Sequence, residues 1–448
     1  MKRITLLNML LIAALALAAC ATPTTAAPTA APAQPTAAPK PTDAPKPTEA
    51  PKPTEVKVDT VRFTWFTDGP DQASIEALIK DFESKNPDIK VQLAIVPFAE
   101  LNQLLLTQAE ANNAPDLARV TEPARFSKYL LDLTPNLKNK NLAKEFIPEA
   151  QALVTGPNGE MYGFMHDFTY NGPFVNVSLF KKANVELPKG DKLTWKDWID
   201  AAIKVKQAAK TPYAAAVDRS GHRLDGFIQP WGGSYITADG KDVSINSAAN
   251  LKAINYFVQL HKEGNMPLEV WAGGGQGYSD AKQLFVNQQL PFYVSGNWQV
   301  SFFNQTIKDK FEWKAVPNAC DVQCGGMPGG KFLVAFKSKA PAEKVTRLME
   351  FLGGKEQVSN YVSPVLFLPA RLDLIKEGIT YPARADDMNT FLKTIPNMPK
   401  SAYSDNFSPK FGPIANEVRD RVTQAITGEL TVEKALENAQ NKGKELIK

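Results

Sequence analysis

Three cysteines and three histidines carry most of the nucleophilic and metal-binding chemistry open to this 448-residue chain, and their spacing narrows it quickly. Cys320 and Cys324 stand four residues apart in Pro317-Asn-Ala-Cys-Asp-Val-Gln-Cys-Gly-Gly. Outside the cytoplasm, two cysteines that close in a Gly-rich loop are expected to form one local disulfide. No other Cys or His lies beside them to complete a zinc site, so no metal is expected. His166, His222 and His261 are scattered, and no Gly-x-Ser-x-Gly elbow is present, so a catalytic triad has no parts to be built from. A glycosidase needs two carboxyl groups at a set separation across the scissile bond, and nothing in the sequence pairs them. No catalytic residue and no cofactor is expected. Binding chemistry is better represented. Asp218, Arg219, Trp231 and Trp271 lie in Gly-rich, non-periodic stretches, where an exposed ring is more easily functional than structural. Trp195 and Trp198 instead follow a capping-box-like Thr194-Trp-Lys-Asp197 and read as packing on an amphipathic helix.

Cys20 belongs to a different kind of segment. Lys2 and Arg3 precede an almost unbroken apolar run, Leu6 to Ala19, which is secretory-signal architecture. The run is shorter than the roughly 20 apolar residues of a spanning helix. Leu17-Ala18-Ala19-Cys20 resembles a bacterial lipobox, in which the cysteine is acylated and becomes the mature N-terminus. Residues 1–19 are therefore expected to be a signal peptide and 20–58 a lipid-anchored linker. Ala21 to Val58 has no aromatic, Leu or Ile, and Ala38 to Glu55 is three copies of Ala-Pro-Lys-Pro-Thr-Asp/Glu. Such a composition cannot offset the entropy of ordering. Its prolines stiffen it into a spacer that could reach roughly 100 Å at about 3.1 Å per residue.

The remaining residues, 59–448, must position whatever binds. No second linker interrupts them, and their length suggests two lobes. A formal charge of +4, with acids and lysines interspersed, excludes a nucleic-acid stripe. Val61 to Phe66 reads as a strand, Ile75, Leu78, Ile79 and Phe82 as one face of a helix, and Ile89 to Val96 as a second strand. Leu101, Leu104 and Leu105 mark another helix, and Pro115-Asp116-Leu117 leads into a third strand. Strands separated by helices imply an α/β fold with a mostly parallel sheet. Ligands on such sheets sit beyond the carboxyl ends of the strands, which puts Trp65 to Gly69 at a binding rim.

A family resemblance then becomes specific. Gly159-Glu-Met-Tyr-Gly-Phe164, Phe174-Val-Asn176 running to Ala183, and Leu193-Thr-Trp-Lys-Asp-Trp198 resemble a hallmark run of extracellular solute-binding proteins, family 1. Leu284 to Trp298, Gly329-Gly-Lys-Phe through Leu352, and Ile426 to Leu436 agree with that family in the same order. The resemblance implies a hinged, two-lobed periplasmic-binding-protein-like fold of type II with the ligand between the lobes. One lobe would hold about 59–166 and 317–365, the other about 167–316 and 366–448. It implies a receptor that captures a sugar or oligosaccharide by lobe closure and hands it to an ABC transporter permease. It would act as a monomer tethered to the extracytoplasmic face of the membrane.

Sugars offer apolar faces for stacking and hydroxyls for polar groups. By resemblance, Trp65 and Asp68 fall in the first binding loop, Glu122 and Arg125 after the third strand, and His166, Asp167 and Tyr170 at the first crossover between lobes. Trp298, after Asn297, matches the family's stacking tryptophan, and Tyr403 a late aromatic contact. Val175-Asn176 departs from the usual Tyr-Asn, so the identity of the sugar does not transfer. The alternatives are the same fold serving a non-sugar solute or a sensory role, and a secreted carbohydrate-active enzyme.

Overall fold

The computed structural model describes residues 57–273, 278–395 and 398–448; the expected signal peptide, Cys20 and the expected linker as far as residue 56 lie outside the described residues. The first half opens as the periodicity requires. Strand β1 (Asp59–Trp65) lies parallel to β2 (Ile89–Ile95) and β3 (Leu117–Val120). The helix Gln72–Lys85 between β1 and β2 buries Ile75, Leu78, Ile79 and Phe82. The helix Phe98–Glu110 buries Leu101, Leu105 and Ala109.

The centre departs from a mostly parallel sheet. β4 (Gly163–Asn176) is fourteen residues long and buried throughout. Around it lie β5 (Ala215–Val217), β6 (Phe292–Gly296), β7 (Trp313–Ala315), β8 (Pro328–Ala335) and β9 (Leu368–Pro369). The strand order is β2-β1-β3-β8-β4-β6-β5, with β7 and β9 also on β4. β8 runs antiparallel to both β3 and β4, and β6, β7 and β9 are antiparallel to β4. Parallel pairing survives only at the two outer ends, β2-β1-β3 and β5-β6. β4 changes partners along its length. Gly163 to Tyr170 pairs with β8, whereas Asn171 to Val175 pairs with β6. One strand thus serves both halves of a two-lobed, mixed α/β arrangement, and a register shift between Met165 and Asp167 marks the passage.

The second half is helix-rich and its ends are set by side chains. Thr194 and Asp197 form a reciprocal capping box, with Thr194 N donating to Asp197 Oδ2 at 2.8 Å and Asp197 N to Thr194 Oγ1 at 3.1 Å. Ser247 caps the helix Ala248–Lys262 by accepting from Asn250 N. Gly428, at φ 84°, ends the helix Phe411–Thr427 in the left-handed conformation that glycine adopts without strain. Cys320 and Cys324 are joined by a disulfide.

A buried acid pair locks this half together. Asp225, in the helix Gly221–Ile228, and Asp405, in the helix Lys400–Asn406, are both fully buried. Gln229 Nε2 donates to both, and Asp405 also accepts from Tyr235 N at 2.7 Å and Ile236 N at 2.8 Å. Burial raises the Asp405 pKa to about 6, and those backbone donors hold back a larger rise. Burial, then the Asp405 charge, raises Asp225 well above the carboxylate range, so it holds a proton. The unfolded chain releases that proton near pH 4, so the contribution is full below that pH and declines as pH rises toward the folded value. Asp225→Asn should therefore melt a few degrees above wild type at about pH 8 and close to it at about pH 4, as thermal unfolding at the two pH values would show.

Candidate functional site

The carboxyl end of β1 and the start of the following helix are held by a buried arginine. Arg119, on β3, donates to Phe66 O at 2.8 Å, Asp71 Oδ2 at 3.0 Å and Asp167 Oδ2 at 2.9 Å. Its guanidinium lies 4.5 Å from the Trp65 ring and 4.6 Å from Phe66. Tyr361 donates to Asp71 from the far side. Asp167 continues the chain of charge to Lys331, 3.5 Å away on β8, and Lys331 Nζ reaches Asp68 Oδ2 at 2.5 Å. Burial acts against ionising Asp68, but Lys331 and Arg119 outweigh it and hold the carboxyl below its ordinary range.

Above this base opens a cleft of about 960 Å³ whose walls come from both halves. That volume is near the upper end of the roughly 300–1,000 Å³ typical of ligand pockets. One wall is Phe66 to Gly69, Phe98 and Thr121 to Arg125; the floor includes Thr169 and Gly329 to Phe332. The facing wall is Arg219 to Arg223, Tyr278, Asp280, Lys282, Trp298, Phe302 and residues of 406–419. Rings and charged or amide groups alternate around it. Among the described residues, no three or more His, Cys, Asp or Glu side chains are grouped to hold a metal, and no helix is long and apolar enough to cross a membrane.

Trp298 stands at the N-terminus of the helix Gln299–Ile307 and lines the cleft while only 8 % exposed. The Arg223 guanidinium lies 4.3 Å from its ring centre, and the Lys331 ammonium 5.9 Å. The ring also lies so close to Gly296 that a methyl group there would come within 2.0 Å of it. His222 crosses from the second half to the floor, with Nε2 donating to Pro328 O at 2.7 Å. Burial, helped by Arg223 and Lys331, pushes its pKa down to about 3. Its ring is therefore neutral and its tautomer fixed by that bond.

Of the residues singled out from sequence, Asp68, Glu122, Arg125, Arg219 and Trp298 line the cleft. Arg125 Nη2 pairs with Glu122 at 2.9 Å, and Arg219 pairs with Asp420 at 2.9 Å. The others do not line it. Trp65 is fully buried against Phe63, His166 and Tyr361, because strand alternation turns it inward and leaves Phe66 at the rim. His166 is buried beside Tyr361 at the β4 register shift, with a pKa lowered by burial to about 4. Asp167 is sealed under Arg119 and Lys331. Tyr170 accepts from Gly326 N, and Asn297 accepts from Tyr170 N at 2.9 Å, so both fasten the crossover.

Asp218 is a structural acceptor, taking Tyr293 Oη at 2.6 Å, Ser295 Oγ at 2.7 Å and Ala281 N at 3.0 Å. Trp271 is core, its Nε1 donating to Val217 O. Trp231 packs on Tyr256 and Lys252, and Tyr403 on Phe407. Sequence reasoning missed Phe98, Arg223, Tyr278, Phe302 and Lys331. The Gly329-Gly330 pair before Lys331 was the available signal, since side chains there would overlap Thr169 and Met165. His222, one of the three scattered histidines, lies in the helix Gly221–Ile228 and lines the cleft.

Comparison with known proteins agrees with this geometry. The sequence model of the family described as bacterial extracellular solute-binding protein matches residues 67–359. A multiple sugar-binding protein of Streptococcus mutans is 24% identical over 274 residues, which is 57% of this chain and 61% of that protein. In structure, the chain resembles an ABC substrate-binding protein from Listeria monocytogenes in complex with cycloalternan, with TM-score 0.75 and 22% identity over 87% of this chain and 98% of that one. It also resembles the GacH receptor of Streptomyces glaucescens, solved unliganded and with acarbose, with TM-score 0.73 and 18% identity over the same shares.

The fit of Trp298 against a glycine backbone gives a direct test. Gly296→Ala should force the ring out of place and lower stability by about 1–3 kcal/mol, the usual range for overpacking. Denaturant unfolding of the variant against wild type measures it, and an unchanged midpoint with unchanged slope would contradict the packing described.

Proposed function

Because the chain belongs to the bacterial extracellular solute-binding protein family, whose members are receptors and not enzymes, we propose that it captures a sugar or oligosaccharide outside the membrane. It then delivers that ligand to an ABC transporter permease. The carrying observation is the cleft itself: two walls drawn from different halves, set with Phe66, Phe98, Tyr278, Trp298 and Phe302 among carboxylates and cations. Rings stack on the C–H faces of a pyranose, and the polar groups between them bond its hydroxyls. The sugar-related relatives support the same reading.

The mechanism is reversible closure, with no covalent step. A ligand favours the closed form only through contacts made on both walls at once. Hinge strands would be β4 and β8. The lobes would comprise about 59–166 with 317–365, and about 167–316 with 366–448. Cys20 would carry the lipid, with the Pro/Thr/Ala-rich linker as spacer, so the receptor works as a monomer beside the membrane.

A thermal-shift screen against a carbohydrate library tests the reading, since a ligand of the native state raises the melting temperature. Trp298→Ala should weaken binding of any sugar found by roughly tenfold or more, and calorimetry showing equal affinity would remove the ring from the site. Cys20→Ser should shift the protein from the membrane fraction to the soluble one; retention in the membrane would refute the anchor.

A further inference from the structure

The charges around the cleft are not balanced. Among the described residues that line it, seven are Lys or Arg and three are Asp or Glu. On the first wall and the floor each cation has its own carboxylate: Arg125 with Glu122, and Lys331 with Asp68 and Asp167. On the second wall Arg219 and Arg419 both pair with Asp420, at 2.9 and 2.8 Å. Lys282 is matched by Asp280 at 3.1 Å.

Arg223 is the sharpest case. Its guanidinium lies 5.3 Å from the Tyr278 ring centre and 4.3 Å from that of Trp298. Among the described residues, no carboxylate is within hydrogen-bond reach. Asp218 lies 4.0 Å from Nε and already takes hydroxyl and backbone donors, while Nη1 donates to Ser220 Oγ at 3.4 Å. A guanidinium held by two aromatic rings at a cavity wall, with no carboxylate of the described residues in hydrogen-bond reach, is pre-organised for a planar or tetrahedral oxyanion.

We propose that the cleft selects an acidic saccharide, a sugar chain bearing a carboxylate or phosphate, with Arg223 receiving the anion and the rings of Tyr278 and Trp298 flanking it. This rests on the reading of the protein as a saccharide receptor and adds the ligand's charge to it. The interaction is electrostatic, so affinity falls as salt rises.

Calorimetry on the purified protein tests it with matched pairs: trigalacturonate against maltotriose, and glucose 6-phosphate against glucose. Inorganic phosphate serves as a sugar-free control. At least one acidic member should bind roughly tenfold or more tighter than its neutral counterpart, as expected for hydrogen bonds to a charged group. Arg223→Gln should remove most of that margin, with a smaller loss on the neutral partner and an unaltered melting temperature without ligand. Arg223→Lys, which keeps the charge but not the fork, should recover part of it. Neutral sugars binding as tightly as acidic ones would overturn the inference and leave the receptor reading standing. Inorganic phosphate binding as tightly as the sugar phosphate would also overturn it, because the sugar would then contribute nothing. If neither these saccharides nor any member of the carbohydrate library binds the folded protein, the receptor reading falls, and the inference with it.

Discussion

Arg119 is the constraint from which the site is built. A guanidinium sealed from water is tolerable only when its charge is paired, and removing one partner of such a buried pair typically costs about 3–5 kcal/mol. Here the partners come from three places: the β1 end through the Phe66 carbonyl, the following helix start through Asp71, and the shared strand through Asp167. Meeting its needs therefore fixes the rim loop against β4. Through Asp167 and Lys331 the same chain of charge emerges at Asp68, at the cleft surface. The interior thus positions the exposed carboxylate.

Glycines let the opposite wall approach that base. Gly329 leaves room beside Thr169 and His222, and Gly330 beside Met165. Gly221 lets its helix approach the backbone of Ala415 more closely than any side chain would allow. These contacts bring the helices Gly221–Ile228 and Phe411–Thr427 up to the cleft, so that Arg223 and the 406–419 segment face the first wall. Trp298 is treated the same way, its ring lodged on Gly296 rather than standing free. A ring so placed loses little freedom when a ligand arrives, which lowers the entropic cost of binding.

Local elements were legible in the sequence because they depend on local rules. Ile75, Leu78, Ile79 and Phe82 all face the core, and the capping box at Thr194 formed from the two side chains that suggested it. The site was legible only in part. Asp68, Glu122, Arg125, Arg219 and Trp298 reach the cleft. Trp65 ends β1 and Phe66 follows it, and which of them faces inward depends on how β1 lies against β2 and β3, set by distant residues. Asp218 and Trp271 share the composition of binding loops, yet their partners are Tyr293, Ser295 and a Val217 carbonyl that no sequence spacing reveals. The parallel sheet expected from the opening rhythm holds at both outer ends and gives way at β4 and β8. Long strands spanning two halves leave no periodic signature.

The shared strand carries a consequence for dissecting the molecule. Asn171 follows Tyr170 directly, yet Asn171 stands opposite Gly296 of β6 and Tyr170 opposite Pro328 of β8. A cut there would free two fragments, each with a raw sheet margin of unclaimed amides and carbonyls, the sort of surface on which foreign strands collect. Neither fragment should behave as a well-mannered isolated domain, and excising one half for separate study would invite clumping rather than a smaller soluble receptor.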